Sequence, residues 1–597
     1  MVVSVGRDKM RKARTSNTKS IAFRIFAGII SLILVVLLAG LIYQVFTLNL
    51  LPGNLTISVS VLMCILTLLF LVLLNFASQR VWSRVISVLL CIILGAGYGL
   101  GNLYLYQTAQ TLNSITNSNE GKIKNTISVI SKSADIVELK DLSGKNVGVL
   151  KTIDAQGTKE SQDDIAKQDV KIQTQSYDNL NAEVKALYDG EVDAIIMNEV
   201  YRPNVEEIEE YTNFSNDTNV VYQTVYYTND TNEALVVDDI TQNPFTILIS
   251  GNDTYGTIDE VSRSDVNMLV TVNPVTSTVL MVNIPRDYYV QTSVGMDKLT
   301  HTGMYGVEET KTTIENLLGI DINYTFRVNF SSAEDIVNAL DGVDIYVEEG
   351  MAVERFNADW SLQGVTEGWN HLDGKRALAY ARERHAYVDG DIQRAKNQQQ
   401  VLEAIINKAA SSTILTNYTQ LLQSFSGAFD TNMSTDEITT LIRYELQALP
   451  QWKFENYVLR GYGDMAVCAS SNMELSVVVP EDYSVQIASQ KIQTVLDGGS
   501  ADEVVDEYQT ESGGVAEGYI EQENAEAYGQ YYYDPNQYYD SSQTYDQSQT
   551  YDQSQTYDQS QTYDPSQVYD DSGVYDDSQY YDQSQGYTEG TDTTYGQ

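Results

Sequence analysis

From Ile25 to Gln79 the chain carries no Asp, Glu, Lys or Arg, and no other feature restricts its fold as much. A helix crosses a bilayer with about 20 apolar residues, so this stretch reads as two spans, 25–47 and 55–77. Pro52-Gly53 punctuates the break between them. After Arg80 and Arg84 a second uncharged run extends from Val85 to Asn119, and its apolar part gives a third span, 85–106. A cleaved signal peptide would show one short apolar core and a small-residue cleavage site, not three full-length segments. Orientation follows from the basic residues beside the spans. Arg7, Lys9, Arg11, Lys12, Arg14, Lys19 and Arg24 lie in the leading segment 1–24, the first loop has none, and the second has Arg80 and Arg84. A multi-pass cell-membrane protein is expected, with its N-terminus in the cytoplasm and everything after Tyr106 extracellular.

The 597 residues carry 37 Lys and Arg against 81 Asp and Glu, a net charge of −44. Nucleic acid is bound by basic surface, so it is not expected as a partner. The charge is uneven: no Lys or Arg follows Lys491. Residues 499–597 are acidic and poor in aliphatic residues, and a Ser-Gln-Thr-Tyr-Asp-Gln pattern puts a Tyr at every sixth position from Tyr545 to Tyr587. Such low complexity cannot offset the entropy of ordering, so a disordered Tyr-rich surface tail is expected. Cys64 and Cys91 lie in apolar runs and Cys468 stands alone, which leaves no disulfide framework and no Cys-based zinc site. Three His cannot build a His-rich centre. Any metal should be held by oxygen.

Between spans and tail the chain divides in two. Residues 107–235 read as a small accessory α/β unit. "GKNVGVL" (Gly144–Leu150) is a short strand after a turn. "NLNAEVKALYDGEVDAIIMNE" gives a helix, a Gly190 stop and the strand Asp193–Met197. This pair resembles one lobe of the extracellular solute-binding fold, and without a clear second lobe a spacer or docking role fits better than a working receptor. Residues 240–498 alternate strands (Phe245–Ser250, Asn267–Asn273, Thr278–Pro285, Val343–Val347) with helices (Thr312–Leu318, Ser332–Leu340, Gly374–Ala381, Asp391–Ser411, Thr435–Leu449). That alternation predicts a layered α/β domain on one central sheet.

Charged residues collect where strands of this domain end. Asp253 follows the first strand, and Arg263 and Asp265 precede the next, so both carboxylates fall on the rim where α/β sheets gather ligands. Two carboxylates without His or Cys suit a hard cation such as Mg²⁺. Arg286 and Asp287 end another strand, and Lys298 follows on a loop. Arg382 and Arg384 share a face if their segment is extended, and Asp391, Arg394 and Gln398, spaced i, i+3, i+7, share one helix face. An acidic chain that concentrates six cations at loop ends points to phosphate or pyrophosphate, since guanidinium groups match phosphate oxygens two at a time. Surface salt bridges account for any one of these arginines but not for the set.

Five motifs in order, "ILISGND…SRSD", "VNIPRD", "DKLTHTGMYG", "GWNHLDGKRALAYARERH" and "GDIQRAKNQQQ", resemble the LytR-CpsA-Psr (LCP) family. The resemblance implies an LCP-type α-β-α layered domain with a central mixed sheet, anchored in the membrane outside the cell. It implies transfer of a glycopolymer, such as teichoic acid or capsular polysaccharide, from a polyprenyl-pyrophosphate carrier to peptidoglycan. It carries a metal role, for Mg²⁺ or Mn²⁺, onto Asp253 and Asp265. Pyrophosphate contacts carry onto Arg263, Arg286, Lys298, Arg382, Arg384, Arg394 and Gln398, with Asp391 holding arginines in place. Asp253, Asp265, Arg263, Arg286 and Arg382 form the implied catalytic set, supported by Asp287. One position departs: Asn397 stands where the family often has Arg.

The implied reaction is attack of a peptidoglycan hydroxyl on the glycan-linked phosphorus with departure of polyprenyl phosphate, chemistry that depends on positioning and charge neutralisation. Asp265 and Asp287 are both candidates for the general base. Two rivals use the same residues. A polyprenyl-pyrophosphate hydrolase would take water as acceptor, and a non-catalytic regulator would only bind polyprenyl phosphate.

Overall fold

The computed structural model describes residues 2–77, 81–116, 122–252, 261–409 and 429–508; Asp253 and the Tyr repeat lie outside them. Three long helices open the chain: α1 (Val2–Leu48), α2 (Gly53–Val72, continued by a π-turn at Leu73–Ala77) and α3 (Val81–Thr116). Their stretches Ile21–Leu48, Gly53–Phe76 and Val81–Ser114 are long and apolar enough to cross a membrane. The third helix runs beyond the expected 106, because polar residues at its end do not interrupt backbone hydrogen bonding. Small residues let the helices approach and polar ones join them. Asn102 of α3 donates to the Leu37 carbonyl of α1 at 2.9 Å, and Gln44 donates to Asn102 at 3.2 Å. The Tyr98 hydroxyl lies 2.8 Å from that of Thr67 in α2.

The folded body sits against one end of this bundle. Thr116, the last residue of α3, places its hydroxyl 3.0 Å from that of Thr435. Arg443 donates to the carbonyl of Asn49, in the loop between α1 and α2, at 2.9 Å. The bundle end that carries the first loop is therefore the end from which the body emerges, as an odd number of spans requires.

The accessory unit is a five-stranded sheet of β1 (Lys122–Ser131), β2 (Asn146–Leu150), β3 (Gln173–Tyr177), β4 (Ala194–Asn198) and β5 (Asn219–Asn229), in the order β3-β2-β4-β1-β5. Strand β2 runs parallel to β3 and β4, and β1 is antiparallel to β4 and β5. Helices α4 (Ala155–Lys167) and α5 (Leu180–Asp189) cover it. The Asn179 side chain caps α5 by accepting from Ala182 N at 2.8 Å, and Gly190, left-handed at φ 74°, ends it. The unit does not stand apart. Leu180, Val184, Leu187 and Met197 share one apolar core with Met304 and Met473 of the following domain. Asn204 Nδ2 meets His301 Nε2 at 3.1 Å in the same seam, and His301 Nδ1 meets Asp297 at 2.6 Å. Cys468 lies close enough to complete an Asp/His/Cys group. However, Asp297 already accepts from the Lys298 and Ser470 amides as well as from His301, so this group is a saturated hydrogen-bond peg between the two domains.

The larger domain is built on β6 (Phe245–Asn252), β7 (Val266–Asn273), β8 (Thr278–Ile284), β11 (Tyr324–Asn329), β16 (Phe429–Thr431) and β17 (Lys453–Val458), in the order β16-β11-β6-β7-β8-β17. Strands β6, β8, β11 and β17 run one way; β7 and β16 run the other. Side chains alternate across it. Leu248, Leu269, Leu280 and Val282 pack on helices α6 (Val307–Leu318) and α11 (Asp482–Leu496), whereas Met268, Val270, Val279 and Met281 face Leu402 of α9 (Asp391–Ala409) and Trp452. The result is the expected α-β-α layering around a mixed sheet. Val343–Val347 is a strand, but it pairs only with Gly368–Leu372 in a separate ribbon. Helices α7 (Phe330–Ala339), α8 (Gly374–Arg382) and α10 (Thr435–Ala448) complete this body, together with the hairpin β18 (Gly461–Cys468) and β19 (Met473–Pro480). Residues 500–508, which the sequence reading gives to the tail, pack on the body: Ala501 is buried and Asp506 pairs with Arg460.

Candidate active site

Parallel β6, β8, β11 and β17 bring their C-terminal ends to one rim, and antiparallel β7 begins there: Gly251 faces Val266, and Asn267 faces Ile284. This register puts Asp265 and Arg286, far apart in sequence, side by side. Arg286 Nη1 donates to Asp265 Oδ1 at 2.9 Å, and Thr300 donates to the same oxygen at 3.1 Å. Arg286 Nε lies 3.5 Å from Asp287, whose other oxygen is 3.2 Å from Lys298 Nζ. Burial alone would push the Asp287 carboxyl up, but Lys298 and Arg286 outweigh it and hold the group below the ordinary aspartate range. Asp287 is thus ionised and doubly paired, a poor proton acceptor and a good clamp. Burial works against the Arg286 charge as well, and Asp287 and Asp265 overcome it.

Helix α9 supplies the opposite wall. Asp391 Oδ1 forms ion pairs with Arg394 at 3.0 Å and with Arg384 at 3.6 Å. Gln398 accepts from Asn283 of β8 at 3.0 Å. Asp265, Asn283, Arg286, Asp287, Arg394 and Gln398 line one cavity of about 160 Å³. Burial, then the nearby Arg286, pulls the Arg394 guanidinium below its usual range, with Asp391 opposing. Cations held this close are poised for a shared anion.

The remaining candidates divide. Arg263 is held by an ion pair to Glu207 of the accessory domain. Gly303 fixes its backbone, since a Cβ there would lie 2.5 Å from the Ser262 carbonyl. Arg382, the last residue of α8, and Arg384 flank Glu383, which turns inward and accepts from Ala386 N, and the two arginines reach different partners. Arg382 stacks on Phe330, 4.6 Å from its ring centre. Phe330 follows Asn329, which is in register with Asn252, so Arg382 stands near the end of β6. Asn397 is buried against Gln393 and the Tyr380 carbonyl, so it faces the core and makes no substitute contact. Asn283 lies within "VNIPRD", but nothing in an isolated Asn marks it as a rim residue. His385 and Glu207 were also missed. Burial and then Arg384 lower the His385 pKa.

A divalent cation at this rim would need oxygen donors. Asp265 faces the cavity, and the buried Asn252 Oδ1 has no hydrogen-bond partner among the described residues. Both are hard donors, so this part of the rim fits such an ion.

The LytR_cpsA_psr family model matches residues 210–466. The teichoic acid transferase TagT of Bacillus subtilis, named a polyisoprenyl-teichoic acid–peptidoglycan transferase, is 35% identical over 34% of this chain and 64% of its own, so the match spans just under two thirds of that relative. TagU of Bacillus anthracis, named for the same transfer, is 33% identical over 41% of this chain and 77% of its own. The crystal structure of B. subtilis TagT is 28% identical, covering 45% of this chain and 98% of that one at a TM-score of 0.35; the same protein has been solved with bound octaprenyl pyrophosphate lipid. By the family model and the sequence similarity to TagU and TagT, the chain is a member of the LytR-CpsA-Psr family.

Proposed function

We propose that this protein transfers a glycopolymer from a polyprenyl-pyrophosphate carrier to peptidoglycan, leaving the glycan joined through a phosphodiester. The observation that carries this is the gathering of Arg286, Lys298 and Arg394 with Asp265 and Asp287 at one strand rim, together with the transfer named for TagT and TagU. A pyrophosphate seated in the cavity meets Arg286 and Arg394 from opposite walls. Asp391 and Asp287 hold those guanidiniums so that little reorganisation is left for the reaction. The acceptor hydroxyl attacks the glycan-linked phosphorus, the bond to the bridging oxygen breaks, and polyprenyl phosphate leaves. Asp265 and Asn252, with Asp253, are the residues that would hold Mg²⁺ or Mn²⁺, which when bound neutralises phosphate charge. Beyond Gln398, helix α9 keeps Val401, Leu402 and Ile405 half-buried, an apolar path for the carrier's tail. The cell membrane holds the protein, with the N-terminus cytoplasmic and the body extracellular.

Full-length protein in detergent, given a polyprenyl-pyrophosphate glycan and peptidoglycan oligomers, should produce a phosphate-linked glycan–peptidoglycan adduct by mass spectrometry. Release of free glycan phosphate alone would favour the hydrolase, and lipid binding without turnover would favour the regulator.

A further inference from the structure

A second cavity, also of about 160 Å³, lies between the accessory domain and the rim. Lys124 and Thr126 of β1, Asn198 and Glu199 at the end of β4, and Arg263 and Asp265 of the larger domain line it. Asp265 lines both cavities, so this space adjoins the one beside Arg286. Its walls are mixed. Val200, Pro203 and Val261 contribute apolar surface among hydroxyl, amide and charged groups, the combination that suits a sugar ring with polar edges and C–H faces. At about 160 Å³ it has room for a sugar unit.

The walls are also fixed in advance. Asn198 accepts from Val200 N at 3.2 Å and donates to Asp154 at 3.1 Å, and Glu199 is held by Arg202 at 2.6 and 2.8 Å. The Thr126 hydroxyl, by contrast, is buried with no hydrogen-bond partner among the described residues. A buried hydroxyl without a partner is unfavourable, and the Thr126 side chain that carries it lines this cavity. A wall fixed in advance is what a recognition subsite requires. The shared core that includes Met304 and Met473 holds this wall against the rim.

We propose that this interdomain cavity binds the sugar unit attached to the carrier's pyrophosphate, with Lys124 and Thr126 of the accessory domain as its selective wall. This rests on the transfer reading above and extends it, because it makes the accessory domain part of donor recognition.

The test compares lipids bound to the full-length protein in micelles: polyprenyl pyrophosphate, the same lipid carrying one N-acetylhexosamine, and a soluble peptidoglycan disaccharide. Wild type should prefer the sugar-bearing lipid to the bare one by about five- to tenfold, the size of one or two net hydrogen bonds. Thr126→Trp and Lys124→Met should each reduce that preference to within about twofold while bare-lipid affinity holds. The conservative Thr126→Val, which keeps the volume, should reproduce part of the loss. Equal affinity of wild type for the two lipids overturns the subsite, as do variants that weaken both lipids alike. Disaccharide binding lost in the variants while the lipid preference survives would assign the cavity to the acceptor and also overturn it. A wild type that binds neither lipid defeats the transfer reading itself, a result distinct from all of these.

Discussion

Arg286 and Asp265 meet at 2.9 Å, one just past the end of β8 and the other just before the start of β7, and the pair exists because β7 is antiparallel between two strands that run the other way. Arg286 has three tasks at once: it holds Asp265, approaches Asp287 and lines the cavity.

Replacing Arg286 should separate these tasks. Arg286→Lys keeps a charge beside Asp265 but loses the second prong, so the fold should survive while turnover falls roughly 10²–10³-fold. Arg286→Ala leaves two carboxylates facing each other, one of them Asp287, and should also lower the melting temperature; breaking a buried pair costs about 3–5 kcal/mol, less here because the Arg286 side chain is about a quarter exposed. A melting curve and a transfer assay on each variant decide it. Unchanged transfer by Arg286→Ala would remove the rim from the mechanism.

His385 reports the charge of the same site. Burial and then Arg384 lower its pKa, opposed by Asp391, so it is neutral at pH 7. A histidine charged in the unfolded chain but resisting charge when folded contributes stability above its unfolded pKa and loses it as pH falls through the folded one. The imidazole titration followed by NMR should therefore have its midpoint below about 6.5. It should move up in Arg384→Gln, which removes a like charge, and up again when a phosphate lipid binds. No movement on lipid binding would place the phosphate elsewhere.

Glu183 gives a prediction of the opposite sign. Its carboxylate is fully buried in the accessory domain, neither oxygen has a partner among the described residues, and burial drives its pKa well up. The folded protein keeps this proton where the unfolded chain releases it, so stability falls as pH rises above about 4.3, the unfolded value. Glu183→Gln should remove that slope and raise the melting temperature at pH 7, since the folded chain no longer has to hold a proton that the unfolded chain releases at that pH. Equal melting temperatures of the two proteins across pH 5 to pH 8 would show that the carboxylate has a partner.

How much of this was legible follows from what each feature depends on. Spans are set by local composition, so Ile25–Gln79 and the run after Arg84 declared their helices. Helix α5 announced itself through Asn179 and Gly190, whose capping roles are local. The i, i+3, i+7 spacing of Asp391, Arg394 and Gln398 was readable because it needs only a helix. The spacing of Arg382 and Arg384 said nothing of their separate partners, Phe330 and Asp391, which depend on tertiary packing. Glu207 could not be read at all: its partner, Arg263, is brought to it by domain packing, which no local pattern encodes. The end of the body was set too early for a related reason. Residues 500–508 look like the tail in composition, and only their partners, Arg460, Lys491 and Glu455, distinguish them.

Those partners make the last prediction. Lys491 is buried and donates to the carbonyls of Ala501 and Val504 at 2.7 and 2.8 Å. The Glu455 carboxylate, 2% exposed, accepts from Ser500 Oγ and from Ala501 N, both at 2.6 Å. Asp506 closes the strap, accepting from Tyr457 at 3.0 Å and pairing with Arg460; burial opposes its charge, but Arg460 prevails and holds its carboxyl below the ordinary range. Its contribution is therefore complete above the unfolded aspartate pKa of about 3.9 and is lost as pH falls through the lower folded value. A chain ending at Tyr508 should melt like the full-length protein. One ending at Gly499 strips partners from a buried ammonium and a buried carboxylate, each worth about 1.5–3 kcal/mol, and should melt on the order of 10 °C lower. Asp506→Asn in the full chain should give a small part of that fall, and the part should vanish as pH falls through the lower folded pKa. If the two truncations melt together, the strap adds nothing and the body ends at Gly499 after all.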